Sequence, residues 1–216
     1  MKPLVDVFVP TISNHMPLIR RAFACLSFQD YSPLRTVLWI EDANDQYPQI
    51  EQFLNDVWYE PHERKPSPKT SDVPVSVEYC AKGVLARNFQ GRAGNAWQAR
   101  QWIFEWEGKS DFVKMLDDDD VMMPSTISVM MQYMTDDMDA VFHPLVGVSS
   151  NRLGNVSKGI TGAAQMLMRK RTMDRIVGAG FRWDVDHDDG EFYQFFKAQD
   201  FKYVVTREDA LYFYLK

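Results

Sequence analysis

Apolar positions along this chain switch between two periods. Leu4, Val5, Val7, Phe8 and Val9 form a short apolar run around Asp6, the pattern of a mostly buried strand, and Pro10-Thr11 ends it. Ser13-Asn14-His15 offers a helix cap before Met16-Pro17. Leu18, Ile19, Ala22, Phe23 and Leu26 then recur at helical spacing, with Arg20 and Arg21 on the other face. Thr36-Val37-Leu38-Trp39-Ile40 reads as a second strand and runs into Glu41-Asp42-Ala43-Asn44-Asp45. Strand, helix, strand is the βαβ pattern. A short helix over 49–59, a proline-rich polar loop over 60–74 and an alternating strand, Val75-Ser76-Val77-Glu78-Tyr79-Cys80, come next. Lys82-Gly83 opens a loop in which Arg87 and Arg92 flank Asn88-Phe89-Gln90-Gly91, and a helix follows over 93–107.

The most informative stretch is Phe112-Val113-Lys114-Met115-Leu116-Asp117-Asp118-Asp119-Asp120-Val121-Met122-Met123-Pro124. A mostly apolar strand ends abruptly in four acids. Adjacent carboxylates repel, so gathering them in a dry site requires a counter-charge. A hard divalent cation supplies one and keeps positions open for substrate phosphates. The alternative is a solvated acidic turn. Position favours the cation, because open α/β sheets bind ligands at the carboxyl ends of their strands. Period two would put Asp117 and Asp119 on one face and Asp118 and Asp120 on the other.

Beyond Pro124, Ser125 can cap a helix running to 134, with Ile127, Val129, Met130 and Met131 apolar; the methionines read as core filler. Residues 140–148 are strand-like, and 149–161 are rich in Ser, Asn and Gly. That second segment is either a loop over the site or a hairpin connection. A strand over 163–168 precedes a helix begun by Arg169-Lys170-Arg171 and closed by Gly178-Ala179-Gly180-Phe181. Residues 192–198 look helical, 202–206 extended, and 210–215 form a last apolar segment.

Composition narrows the picture. With 216 residues, 45% hydrophobic and 25% charged, the chain can bury one α/β core. A net charge of −6 argues against a broad nucleic-acid surface but leaves room for a local basic strip of Arg152, Lys158, Arg169, Lys170 and Arg171. Cys25 and Cys80 are the only cysteines, which excludes a disulfide framework and a cysteine zinc site. A reduced, cytoplasmic protein with no signal peptide and no transmembrane segment is the expectation.

The motifs, in order, resemble those of GT-A glycosyltransferases, most closely the inverting family-2 type. Pro10-Thr11 is similar to the family's Val-Ile-Pro-Thr opening, and Ile40-Glu41-Asp42 to the hydrophobic–Asp-Asp end of its second strand. Leu116-Asp117-Asp118-Asp119-Asp120, followed by Pro124, resembles its Leu-Asp-x-Asp-Asp stretch. Asp188-Asp189, shortly before Phe201-Lys202, resembles its late Glu-Asp pair. There are departures. The Ala-Arg-Asn loop appears as Gly91-Arg92-Ala93-Gly94-Asn95, with the arginine displaced to Arg92, and Asp188 stands for glutamate. The chain also shows no C-terminal membrane or oligomerisation segment.

The resemblance implies one continuous Rossmann-like α/β domain with a mixed, mainly parallel sheet flanked by helices. Residues 1–124 would be its nucleotide-sugar-binding half and 125–216 its acceptor and catalytic-base half. It implies metal-dependent, inverting transfer of a hexosyl or pentosyl group from a nucleotide sugar, a UDP-sugar first, to an acceptor hydroxyl. Asp119, then Asp117, would ligate Mn2+ or Mg2+, Asp117 alternatively meeting the donor ribose. Asp118 and Asp120 would hold waters, orient the strand end or face solvent. Pro10, Thr11, Glu41 and Asp42 would line the donor pocket, with Asp42 on the base. Lys82, Arg87, Arg92 and Asn95 would meet phosphate or base. Asp189 would be the catalytic base, Asp188 its support and Glu191 the fallback. His143 and His187 are ligands or structural, and Trp183 stacks on a sugar or fills the core.

Two other classes compete. Nucleotidyltransferases share acidic metal ligands but carry a glycine-rich basic loop after the first strand; here that loop is Pro10-Thr11-Ile12-Ser13-Asn14. A non-catalytic GT-A-like binding or scaffold protein would keep the fold alone. Among acceptors, glycan, lipid, protein and small-molecule hydroxyls are open, as is a hydroxylated DNA base of the kind used by small phage enzymes.

Overall fold

The computed structural model describes residues 2–12, 15–41, 100, 103–104, 110–149, 152–157, 163–182, 189–206 and 212–215. The expected elements over 49–59, 60–74 and 75–80, and Asp42, Lys82, Arg87, Arg92, Asn95, Trp183, His187 and Asp188, lie outside these residues.

A six-stranded sheet forms the centre. Its strands are β1 (Val5–Ile12), β2 (Leu34–Glu41), β3 (Phe112–Met115), β5 (Ala140–Phe142), β8 (Met166–Arg169) and β9 (Tyr203–Val205), in the order β2-β1-β3-β8-β5-β9. β1 pairs in parallel with β2 and β3, and β5 with β9, while β8 is antiparallel to both neighbours. The sheet is therefore mixed and mainly parallel, and it takes strands from both halves of the chain. Helix α1 (Met16–Ser27) makes the crossover that a parallel β1–β2 pair needs.

Parallel strands are buried on both faces, and the side chains of β1 show it. Val5, Val7 and Val9 join Ile19, Ala22, Phe23 and Leu26 of α1, with Ile127 and Met130 of α2 (Thr126–Tyr133), in one core. Phe8 lies in the other core. There it joins Val37, Val113, Met115, Phe142, Met168, Met173 and Ile176 of α3 (Lys170–Gly178), and Phe192 and Phe196 of α4 (Asp189–Ala198). Asp6 is fully buried on β1, where its register partner Arg35 grips both carboxylate oxygens at 2.8 Å.

Two expectations need revision, and one open alternative is decided. Residues 140–148 are two strands: β5 stays in the main sheet, and β6 (Leu145–Ser149) joins a second one. His143-Pro144 lies between them, and proline has no N–H to extend a ladder. The second sheet runs β4-β10-β6-β7, with β4 (Val121–Met122), β7 (Arg152–Ser157) and β10 (Tyr212–Leu215). Because β6 and β7 pair antiparallel, the described part of the Ser/Asn/Gly-rich segment belongs to a hairpin, one of its two readings from the sequence. Finally, His15 and Ser125 occupy the N-cap positions of α1 and α2, yet neither side chain makes a capping bond. The closure of α3 is as expected: Gly180 adopts φ +88, and Phe181 N–H reaches back to Ile176 O at 3.3 Å.

Buried Asp139, just before β5, ties three elements together. Its carboxylate accepts from Thr172 Oγ1 at 3.1 Å, Arg175 Nη1 at 3.0 Å and the Lys202 N–H at 2.9 Å. Among the described residues no helix is long and apolar enough to cross a membrane. Cys25 is a free, buried thiol.

Asp139→Ala strands these donors and should cost about 2–3 kcal/mol. A urea midpoint unchanged from the parent, at constant slope, would show that Asp139 does not brace the fold.

Candidate active site

β3 ends beside the tip of β1. The Leu116 N–H extends their parallel pairing by one bond to Phe8 O, at 2.9 Å. The chain then reverses, and the Asp120 N–H donates to Asp117 O at 3.1 Å, which closes a four-residue turn. Aspartates suit such turns, and this one sits at the carboxyl end of a parallel strand.

Neighbouring elements contain the turn. Asp118 is buried; its Oδ2 accepts from the Thr11 hydroxyl at the end of β1 and lies 3.0 Å from His15 Nδ1 at the start of α1. Arg21, one helical stretch further along α1, donates to the Asp119 carbonyl. Arg100 Nη2 is 3.6 Å from Asp117 Oδ2. Beneath them Lys114, fully buried on β3, donates through Nζ to Met115 O at 2.6 Å and to Ala164 O in the 3₁₀ turn Ala163–Gln165.

Asp118 and Asp120 are buried, and Asp117 and Asp119 are partly exposed. The two faces foreseen from strand alternation therefore exist, although the residues form a turn. Neither Asp118 nor Asp120 faces solvent, contrary to one of the options above. Burial first, then the charges of Asp117 and Asp118, push the Asp119 carboxyl above the usual range. Asp119 is thus half-buried beside two further carboxylates, with the Arg21 charge acting in the opposite direction. Among the described residues no three His, Cys, Asp or Glu side chains form a metal cage. One or two carboxylates completed by phosphate oxygens are the usual holders of magnesium-like ions.

Pro10 and Thr11 are buried at the end of β1, and the Glu41 backbone ends β2 opposite Ile12. Asp189 begins α4, and Glu191 is exposed in its first turn. Phe192 and Phe196 of this helix pack edge-on against Phe181 and Phe142, with ring centroids 5.3 and 5.7 Å apart. The helix start is thereby carried on a rigid aromatic base, and α4 also packs against the 3₁₀ turn that Lys114 grips.

In structure searches the chain matches, over its full length, S. aureus TarS residues 1–349 solved with UDP-GlcNAc, at TM-score 0.66 and 15% identity. It covers 59% of that protein, so it spans about three-fifths of this relative. It also matches the mannosyltransferase PcManGT of Pyrobaculum calidifontis, solved with GDP-Man and Mn2+. There the TM-score is 0.61 and identity 17%, over 99% of this chain and 57% of that one. The chain has the GT-A glycosyltransferase fold. No protein-family model and no curated sequence matches it.

Three of the basic residues proposed as a strip also make contacts within the chain. Arg169 donates to Met138 O and Thr135 O at 2.7 and 2.8 Å, and its guanidinium lies 5.0 Å from the Phe112 ring centroid. Arg171 donates to Asp136 O, and Lys170 pairs with Asp174. The side chains of Arg152 and Lys158 lie outside the description. Sequence reading missed His15, Arg21, Arg100 and Lys114 as parts of the site. The one available signal was a lysine inside an apolar strand; His15 and Arg21 reach the turn across about a hundred residues of chain.

His143 is fully buried at the end of β5, and its Nδ1–H donates to Pro144 O at 3.0 Å. Burial, then the nearby Lys114, hold its pKa well below the usual 6.5. The unfolded chain therefore binds a proton below about pH 6.5 that the folded protein refuses, and stability falls as pH drops through that value. The loss is at most about 1.4 kcal/mol per pH unit. His143→Gln should lose less stability between pH 7 and 5.5 than the parent. Equal losses in urea titrations would assign the acid sensitivity to other groups.

Proposed function

We propose that this chain is a metal-dependent, inverting glycosyltransferase that moves a sugar from a nucleotide sugar to an acceptor hydroxyl. One observation carries the reading. At the tip of β3, Asp118 and Asp120 are held inward, and Asp117 and Asp119 remain partly exposed under mutual repulsion. Support comes from the GT-A fold, whose neighbours were solved with UDP-GlcNAc and with GDP-Man and Mn2+.

In this reading Asp119 and Asp117 hold Mn2+ or Mg2+, which when bound supplies positive charge to the diphosphate leaving group. Pro10, Thr11 and the Glu41-Asp42 strand end form the wall on which the base and ribose rest. Lys82, Arg87, Arg92 and Asn95 remain proposed donor contacts. A UDP-sugar is the first donor to try. Residues 1–124 carry donor binding and 125–216 the acceptor and the base.

Inversion requires the acceptor oxygen to attack the anomeric carbon opposite the leaving group. The new C–O bond forms as the bond to the diphosphate breaks. Asp189, at the start of α4, takes the acceptor proton, with Asp188 or Glu191 beside it. The acceptor is a free hydroxyl.

Thermal shift with UDP- and GDP-sugars, with and without Mn2+, tests the class: stabilisation requiring both components is expected. Asp119→Ala should abolish that stabilisation and leave the ligand-free protein folded. An Asp119→Ala protein that still responds removes the metal assignment. Asp189→Asn should bind donor as the parent does and lose transfer by at least about a hundredfold. Persistent transfer would move the base elsewhere, and pyrophosphate release from a nucleoside triphosphate would instead indicate nucleotidyl transfer.

A further inference from the structure

Lys114 is the anomaly of the core. It is fully buried in the middle of β3, among residues that are otherwise apolar on that strand. A buried ammonium is costly unless paired and hydrogen-bonded. Here the hydrogen bonds run to two carbonyls on different elements, Met115 O on β3 and Ala164 O in the 3₁₀ turn leading into β8. Burial pulls the Lys114 pKa down to about 7, and the charges of Asp117 and then Asp120 in the turn above act against that fall. Asp120 is itself 1% exposed.

The inner acids are thus provided for separately. Asp118 has Thr11 and His15, and Asp120 lies in the field of Lys114. We propose that Lys114 is a positioning residue for the acidic turn: its buried Nζ clamps β3 to Ala164 beneath Asp117 and Asp120, which keeps Asp120 inward and leaves Asp117 and Asp119 turned to the ligand. The ligand-facing part of this proposal rests on the donor reading above; the clamp itself does not.

Lys114→Met preserves length and removes the charge. The two carbonyl bonds are then lost, and buried Asp120 loses the nearby charge of Lys114. The melting temperature of the ligand-free protein should fall by about 5–10 °C. Asp120→Asn introduced into Lys114→Met should restore more than half of that fall, because the uncompensated charge is gone. Titration of UDP in saturating Mn2+, well below the melting temperature, should show about tenfold weaker binding for Lys114→Met. That is the scale of loss when a group that orients metal ligands is removed. The double variant should recover part of it. Met173→Ala, in the core beneath α3, serves as a control that lowers the melting temperature without changing UDP affinity.

Additive melting-temperature changes in the two variants overturn the pairing. Unchanged UDP affinity in Lys114→Met, despite a lowered melting temperature, overturns the positioning role and leaves a plain structural lysine. Should the parent protein bind neither UDP nor GDP with Mn2+, the donor reading fails, and the ligand-free cycle alone decides the clamp.

Discussion

Four carboxylates in consecutive positions repel one another, and the local structure is arranged around containing that repulsion. A hydroxyl and an imidazole take Asp118, a lysine lies under Asp120, an arginine approaches Asp117, and another arginine holds the backbone at Asp119. These groups come from β1, α1, β3 and the helical residues around Arg100. Each needs the others in place, since a partner that is absent leaves charge in a medium that screens it poorly. Asp119 is the member whose carboxyl is pushed above the usual range, by burial first and then by Asp117 and Asp118.

The sheet makes this containment possible. Parallel pairing of β1 with β3 brings Thr11 level with the turn, and the α1 crossover returns His15 and Arg21 over it. The antiparallel β8 has a second effect. Its entry turn arrives at the same end of the sheet as the carboxyl end of β3, so the Ala164 carbonyl can receive the lysine. A purely parallel sheet would have placed the start of that strand at the far end. The aromatic cluster under α4 then packs the helix bearing Asp189 against the same 3₁₀ turn.

Stability and chemistry are partly opposed here. Asp139 and Asp6 are buried acids whose charges are answered by arginine, and they tie elements together. Asp119 is answered incompletely, which a fold selected for stability alone would avoid. Strain of this kind concentrates at functional sites, and its location beside the strand tips agrees with the GT-A architecture.

Much was legible in the chain itself. The strand and helix periods of the first unit, the helix begun after Arg169 and closed at Gly180, and the acidic strand tip all follow from local rules of burial, capping and turn chemistry. The break at His143-Pro144 was not legible, and the hairpin was left open beside a loop, because Ser, Asn and Gly mask alternation and because sheet membership is a long-range property. His15 sits at the N-cap of α1 without a capping bond, since its imidazole meets Asp118, distant in sequence and adjacent in space. Local pattern decided where the charges would gather. Only the folded sheet decided which of them are neutralised and which stay available, since that depends on donors that meet the turn through tertiary packing.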